Sequence, residues 1–465
     1  MSANETNTSF KSLDLPEALI KNLDQLGYQS MTDIQQQSLP HTLSGKDLIG
    51  KAKTGSGKTA SFIIPMLLKI NPKFFGTQGL ILCPTRELAS QVAEEARKIA
   101  RFISNLKIVT LCGGQPIGPQ IGSLEHGAHI VVGTPGRIKD HLRKQTLYLD
   151  QVHTFVLDEA DRMLDMGFFD EVKDIAKHIL NAHQTMLFSA TYPEDLKQFG
   201  DKFLNKPISI EVASNHSSEH IEQVFYKVEK GFDPKLDGLL RVLKHHEPAQ
   251  AIIFCNQKQT CLDVVEFLKG KGFTALALQG DMDQRARDLT LVRFANQSAT
   301  LMVATDVAAR GIDIKNLDAV INFDLPRDPE NYVHRIGRTG RAGQSGHAFS
   351  LYLGSEKMKY DLIKSTQQTD PEIIDINKLK QHGAKPEKPK MVTLGLDAGK
   401  KHKLRPGDIL GALTRDFGIP GNDIGKINIF DFVSYVAVAR PEARNAFNAI
   451  KDGKIKGKKI RVRRI

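Results

Sequence analysis

At 465 residues the chain is too long for one hydrophobic core, and about three domains are expected. Its 40% hydrophobic and 25% charged residues read as globular soluble domains; no run approaches the ~20 apolar residues of a membrane span. The polar start Met1 to Thr8 lacks the basic and apolar stretches of a signal peptide, so a cytosolic protein with no membrane partner is expected.

The net charge of +11 is uneven. Residues 391–465 hold 16 Lys or Arg against 7 Asp or Glu, a net of +9, leaving +2 for the first 390 residues. A basic module on a nearly neutral body points to an anionic polymer, and with no amphipathic membrane helix evident, to nucleic acid rather than lipid. Cys83, Cys112, Cys255 and Cys261 show no metal-ligand spacing and read as reduced, structural thiols.

In chain order, the apolar run Asp47-Leu48-Ile49-Gly50 leads into Ala52-Lys53-Thr54-Gly55-Ser56-Gly57-Lys58-Thr59 and then an apolar helix. Ala52 replaces the first Gly of the general pattern. Lys and Thr stand where a phosphate-binding loop needs them: backbone amides cradle the phosphates, Lys58 supplies charge, and Thr59 reaches Mg²⁺. Phe155-Val156-Leu157 ends in Asp158-Glu159-Ala160-Asp161, a buried strand closing on three carboxylates that calls for a cation. The two motifs together predict an ATP hydrolase holding Mg²⁺ between Thr59 and Asp158.

Short apolar runs at 79–83, 129–132, 153–157 and 184–188 alternate with helical patterns. A second set lies at 251–254, 274–278, 300–303, 319–323 and 347–351. This predicts two α/β domains with parallel sheets, 1–212 and 213–380. The polar stretch 213–220 reads as the linker between them. The Pro- and Lys-rich stretch 381–390 reads as an extended linker that makes residues 391–465 an independent module. That module reads as β-α-β-β-α-β, with strands at 391–396, 426–430, 434–439 and 459–463 and helices at 408–417 and 443–451, the pattern of a ferredoxin-like or RNA-recognition-motif fold. Polar clusters just past the strands should line one face of each α/β domain.

From the amino terminus to about residue 350 the ordered motifs resemble the DEAD-box RNA helicases, which have two tandem RecA-like domains. Besides the phosphate loop and acidic run they comprise Phe10, Gly27-Tyr28 and Thr32 to Gln35; Pro84 to Ala89; Gly113-Gly114; Thr134 to Arg137; and Ser189-Ala190-Thr191. Then come Gly280 with Gln284 and Arg287, Ala304 to Asp313, and His334 to Arg341. Met31 departs from the family's usual Pro. The resemblance implies that Thr54, Gly55, Ser56, Gly57, Lys58 and Thr59 bind ATP phosphates. Gln35 selects adenine, with Phe10 or Tyr28 stacking on it, and Asp313 accepts from the ribose. Glu159 orients and deprotonates the attacking water, while Arg338 and Arg341 act as arginine fingers, so that hydrolysis requires domain closure. Pro84, Thr85, Arg86, Gly114, Thr134, Arg137, Gly280, Arg287 and Thr305 contact the RNA backbone without reading bases. Asp161, Ser189, Thr191 and His334 couple hydrolysis to strand separation.

Residues 391–465 resemble DbpA-type RNA-binding domains in Met391 to Leu394, Lys403 to Gly411, Ile424 to Asp431 and Lys454 to Lys459. That implies a hairpin of 23S ribosomal RNA in precursor large subunits as partner and a role in 50S assembly, for a protein expected to be monomeric. The 431–438 strand departs from the usual aromatic pattern: Val433 and Val438 replace stacking aromatics and only Tyr435 remains. The RNA surface is therefore either the sheet face or the loops carrying Lys400, Lys401, Lys403, Arg405 and Lys426. The alternatives are a general RNA helicase of cold adaptation or decay, and an RNA-binding scaffold that needs no hydrolysis.

Overall fold

The computed structural model describes residues 8–52, 55–212, 221–309, 317–340, 345–367, 370–380 and 386–465. The chain gathers into two compact units: one carries a seven-stranded sheet, the other a second seven-stranded sheet and a four-stranded one. The first linker expected, 213–220, and residues 381–385 of the second lie outside the described residues.

In the first unit β1 (Leu48–Lys51), β2 (Gly79–Leu82), β3 (Ile108–Leu111), β4 (Ile130–Gly133), β5 (Thr154–Asp158), β6 (Gln184–Ser189) and β7 (Ile208–Glu211) pair in parallel in the order β3-β4-β2-β5-β6-β1-β7. The central strands are short apolar runs because both faces are covered. Ile81, Val156 and Met186 pack into one cluster with Phe62 and Ile63; Leu80, Leu82, Phe155 and Leu157 pack on the other side with Val172 and Phe199. Edge strand β7 (Ile-Ser-Ile-Glu) escaped the sequence reading because only Ile210 of it is buried.

The second unit opens with β8 (Ile221–Val228), β9 (Ala251–Cys255), β10 (Ala275–Leu278), β11 (Leu301–Thr305), β12 (Ala319–Asn322), β13 (Gly346–Leu353) and β14 (Glu372–Asp375). Their order is β10-β11-β9-β12-β13-β8-β14, again all parallel. The fold is thus two parallel-sheet RecA-like domains, as the apolar runs predict. All four cysteines are free and buried, and burial pushes the Cys112 thiol up to about 12.

The carboxyl-terminal sheet is antiparallel: β15 (Met391–Leu396), β16 (Ile424–Ile429), β17 (Ser434–Ala439) and β18 (Val462–Arg464) lie in the order β16-β17-β15-β18. Its helices begin at Pro406 and Ala443. Val392, Leu394 and Leu396 face these helices with Val436 and Val438, so Val438 belongs to the core and not to the open face. The period of two turns Thr393 to the opposite face, opposite Ala437, with Gly395 opposite Tyr435.

That outer face is covered. Thr393, Tyr435 and Ala437 are all buried, and Thr393 Oγ1 meets Ser298 Oγ at 2.7 Å and Asn296 Nδ2 at 3.3 Å, just past the helix Gln284–Ala295 of the second RecA-like domain. The module expected to be independent is docked on its neighbour. Composition marks 381–390 as a linker but carries no signal for the buried hydroxyls that meet beyond it.

Candidate active site and nucleic-acid interface

Between β1 and the helix Lys58–Lys69 the chain turns through Gly55 and Gly57, both at φ +90°, a region closed to side chains without strain. A Cβ on Gly57 would stand 2.6 Å from Gln35 Nε2 and 2.9 Å from Thr32 Oγ1. The close approach has a purpose: Gln35 Nε2 donates to the Gly57 carbonyl at 2.9 Å while its Oε1 accepts from Thr32 N at 3.0 Å. The residue expected to read adenine is thereby buried against the phosphate loop. Lys58 is also buried, its Nζ donating to the Ala52 carbonyl at 2.8 Å. Ser56 and Thr59 are half-buried, and Thr54 lies outside the described residues. Phe10 sits in the core, edge-on to Tyr28 at 6.1 Å, and the Tyr28 hydroxyl donates to Glu95 at 2.7 Å. Of the two stacking candidates, Tyr28 is the more exposed.

β5 delivers Asp158 to a buried position, where its Oδ1 has no hydrogen-bond partner. Burial pushes its carboxyl up to about 7, an effect that Lys58 opposes. Glu159 follows at φ 54°, ψ 54°, a left-handed conformation costly for a residue with a Cβ, and Arg162 Nε stands 3.7 Å from its Oε2. Asp161 gathers the residues expected to couple hydrolysis to strand separation, His334 apart. Its Oδ2 accepts from Ala190 N at 3.0 Å, Thr191 N at 2.9 Å and Thr191 Oγ1 at 3.2 Å, and its own amide donates to Ser189 Oγ at 3.1 Å. The Ser189 carbonyl accepts from Ala52 N at 3.0 Å, so the β6 terminus joins the acidic motif to the start of the phosphate loop.

Strand order divides this edge chemically. The ends of β5, β6 and β1 carry the carboxylates, the Ser189-Ala190-Thr191 triplet and the glycine-rich loop; those of β3, β4 and β2 carry Gly114, Thr134 and Pro84-Thr85-Arg86. Thr85 caps the helix Arg86–Ile99, and the Arg86 guanidinium lies so close to Gly114 that a Cβ there would overlap it. Thr134 Oγ1 accepts from Gly113 N at 3.4 Å. Arg137 Nη2 donates to the Gln115 carbonyl at 2.9 Å, while its buried Nε and Nη1 have no hydrogen-bond partner. Small residues, backbone amides and two guanidiniums converge, a surface suited to a phosphodiester chain.

In the second unit Gly280 follows β10 and Thr305 ends the adjacent β11, with Arg287 Nη2 donating to the Ala308 carbonyl at 2.7 Å. Arg338 is buried and His334 half-buried; Asp313 and Arg341 lie outside the described residues. In the carboxyl-terminal domain Lys400, Lys401, Lys403, Arg405 and Lys426 are all exposed.

Residues 32–199 match the DEAD/DEAH box helicase family, 234–343 the helicase conserved C-terminal domain, and 393–464 the DbpA RNA binding domain. The ATP-dependent RNA helicase DbpA of Escherichia coli K12 is 50% identical over 464 residues, 98% of this chain and 99% of that one. The chain is a DEAD-box ATP-dependent RNA helicase. The DEAD-box helicase CshA of Bacillus subtilis is 41% identical over 79% of this chain and 73% of its own. A structure of S. cerevisiae Dbp5 bound to RNA and ADP BeF3 superposes with a TM-score of 0.72 at 30% identity, over 80% of this chain and 96% of that one.

Two residues of the helicase were not singled out from sequence. Arg335, 2% exposed, clamps Asp306 with both ends of its guanidinium at 2.6 and 2.7 Å and donates to Asn322, to Asn256 and to the Asp324 carbonyl. It ties the ends of β9, β11 and β12 to the helix Pro329–Ile336. Lys258 pairs with Asp281, and its methylenes reach 3.5 Å from where a Cβ on Gly280 would be. Arg335 stands inside the quoted motif, yet only the packed structure reveals its partners.

Proposed function

We propose that this helicase is an RNA-stimulated ATPase that opens short duplexes beside a hairpin of 23S ribosomal RNA, held there by residues 391–465. It would serve 50S subunit assembly as a cytosolic monomer, with RecA-like domains at 1–212 and 213–380. What supports the reading is the carboxyl-terminal domain, which carries nine net positive charges, matches the DbpA RNA binding domain and is docked on the second RecA-like domain. A hairpin bound to a docked domain has a set bearing on Gly280, Arg287 and Thr305.

The orphaned Oδ1 of Asp158, buried and short of a cation, fits a magnesium ion, with Thr59 as second holder. Among the described residues no cluster of three His, Cys, Asp or Glu offers a protein-only cage, as expected for an ion shared with nucleotide phosphates. When bound, the ion neutralises charge on the β- and γ-phosphates. Lys58 exchanges the Ala52 carbonyl for the γ-phosphate. Glu159 accepts a proton from the attacking water, and Arg338 and Arg341 stabilise charge developing in the transition state. Asp161, Ser189, Thr191 and His334 relay the outcome to the RNA-facing strand ends.

The test is the ATPase rate with a 23S hairpin RNA, a scrambled hairpin and no RNA at matched salt. Strong preference for the 23S hairpin is expected; equal stimulation by both RNAs would leave a general RNA helicase.

A further inference from the structure

With its sheet face docked, the carboxyl-terminal domain needs another surface on which to stack a base. RNA-recognition folds ordinarily use aromatics on that face. Here Tyr435 occupies it at 3% exposure. At one end of the domain, however, three connections meet: residues 397–405 after β15, the β16–β17 turn at 430–433, and the turn before β18. Lys400 N donates to the Phe430 carbonyl at 2.8 Å, Lys401 N to the Asp431 carbonyl at 2.9 Å, and Lys456 Nζ to the Lys403 carbonyl at 2.8 Å. At the tip stands Phe432, 66% exposed, the most exposed phenylalanine among the described residues.

An aromatic ring left in water gains nothing for the fold. The ring is nonetheless positioned. His402 accepts from Gly399 N through Nδ1 at 3.1 Å, which orients its imidazole, and it meets Phe432 in a T-shaped contact at 6.3 Å while the phenyl ring stays largely exposed. Lys400, Lys401 and Lys403 stand in the adjoining connection, exposed and without ion-pair partners among the described residues; the acidic residues of the two connections are Asp397, which pairs with Arg463, and Asp431.

We infer that Phe432 is a base-stacking platform: an unpaired nucleobase of a structured RNA lies on its phenyl face, with His402 bracing the ring and the lysines holding the flanking phosphates. Stacking of this kind tolerates any base and supplies affinity, while the lysines supply a salt-dependent part. The inference rests on the reading that residues 391–465 bind an RNA hairpin, and it adds the residue that grips the loop.

The experiment uses the full chain and a fluorescein-labelled 23S hairpin, an identical hairpin with abasic loop positions, and a scrambled hairpin, read by anisotropy over a salt series. Phe432→Ala should weaken binding to the intact hairpin by about 10-fold, within the range for losing one base–aromatic stack, and leave the salt slope unchanged. Phe432→Trp should restore it. On the abasic hairpin wild type and Phe432→Ala should bind alike. Undiminished binding by Phe432→Ala, or an equal loss on the abasic RNA, overturns the inference. If wild type binds scrambled and 23S hairpins equally, the 23S reading falls, and the same substitution on either RNA still decides the stacking.

Discussion

Ser298 and Thr393 meet hydroxyl to hydroxyl at 2.7 Å in a buried contact between the second RecA-like domain and the outer face of the carboxyl-terminal sheet. The direction of the bond is set by the neighbours. Ser298 Oγ donates to the Arg293 carbonyl at 2.9 Å, so Thr393 donates to Ser298 and accepts from Asn296 Nδ2. Each proton has one place to go, which favours a single docked geometry.

Thr393→Val keeps the shape and removes the hydroxyl. It should weaken docking by about 1–3 kcal/mol, since the Asn296 amide is left buried without its acceptor. Hydrogen exchange in the full chain should show faster exchange near residues 296–298 and along β15, with the core of the first RecA-like domain unchanged. Exchange equal to wild type in both segments would contradict a hydrogen-bonded dock.

Asp158 makes the nucleotide-free protein pH-sensitive. Its folded-state pKa, about 7, lies above the ordinary carboxyl value of 3.8, so the fold favours the protonated carboxyl. Its contribution is fully present below about pH 4 and is lost as pH rises through 7. Asp158→Asn removes the titration and should raise the melting temperature of the nucleotide-free protein at pH 8 more than at pH 6, while abolishing hydrolysis. An equal melting shift at both pH values would show that the carboxyl does not titrate in this window.

Lys58 and Glu159 should separate binding from chemistry. Lys58→Ala removes the cation that meets the phosphates and should lose both ATP affinity and turnover. Glu159→Gln keeps shape and should hold ATP near wild-type affinity with turnover reduced by at least about 100-fold, the scale of general-base loss. Nucleotide titration beside RNA-saturated ATPase rates distinguishes them. Turnover by Glu159→Gln at the wild-type rate would remove Glu159 from the base role.

The sequence makes the strands and motif positions readable because buried parallel strands must be apolar runs and phosphate turns must use glycine. Asp158 and the Ser189-Ala190-Thr191 triplet stand at strand ends, where the runs stop, and Lys58 opens the helix beyond the glycine turn that follows β1. What is hidden is partnership across the chain. Nothing in the sequence says that Gln35 bonds Gly57, that Asp161 collects three donors from residues 190 and 191, or that Arg335 holds Asp306. Edge strands β7 and β14 are four residues each and half polar, so neither forms an apolar run. Tyr435 inverts expectation for the same reason: the face that should be open is covered by a sequence-distant part of the second RecA-like domain.

Docking also changes what a domain graft should do. On a flexible linker, residues 391–465 moved to an unrelated DEAD-box core would raise the local RNA concentration and transfer the hairpin preference. With Thr393 bonded to Ser298 and Asn296, a hairpin bound as proposed would instead be held at one orientation to the second RecA-like sheet. A graft of 391–465 alone should therefore bind the 23S hairpin as tightly as the full helicase yet show weak hairpin-stimulated ATPase activity. Transplanting residues 284–298 with it should recover the stimulation. Measuring hairpin affinity and ATPase activation side by side for both chimeras decides between the two modes. Full activation by the graft that lacks 284–298 would mean that proximity suffices and the dock is dispensable.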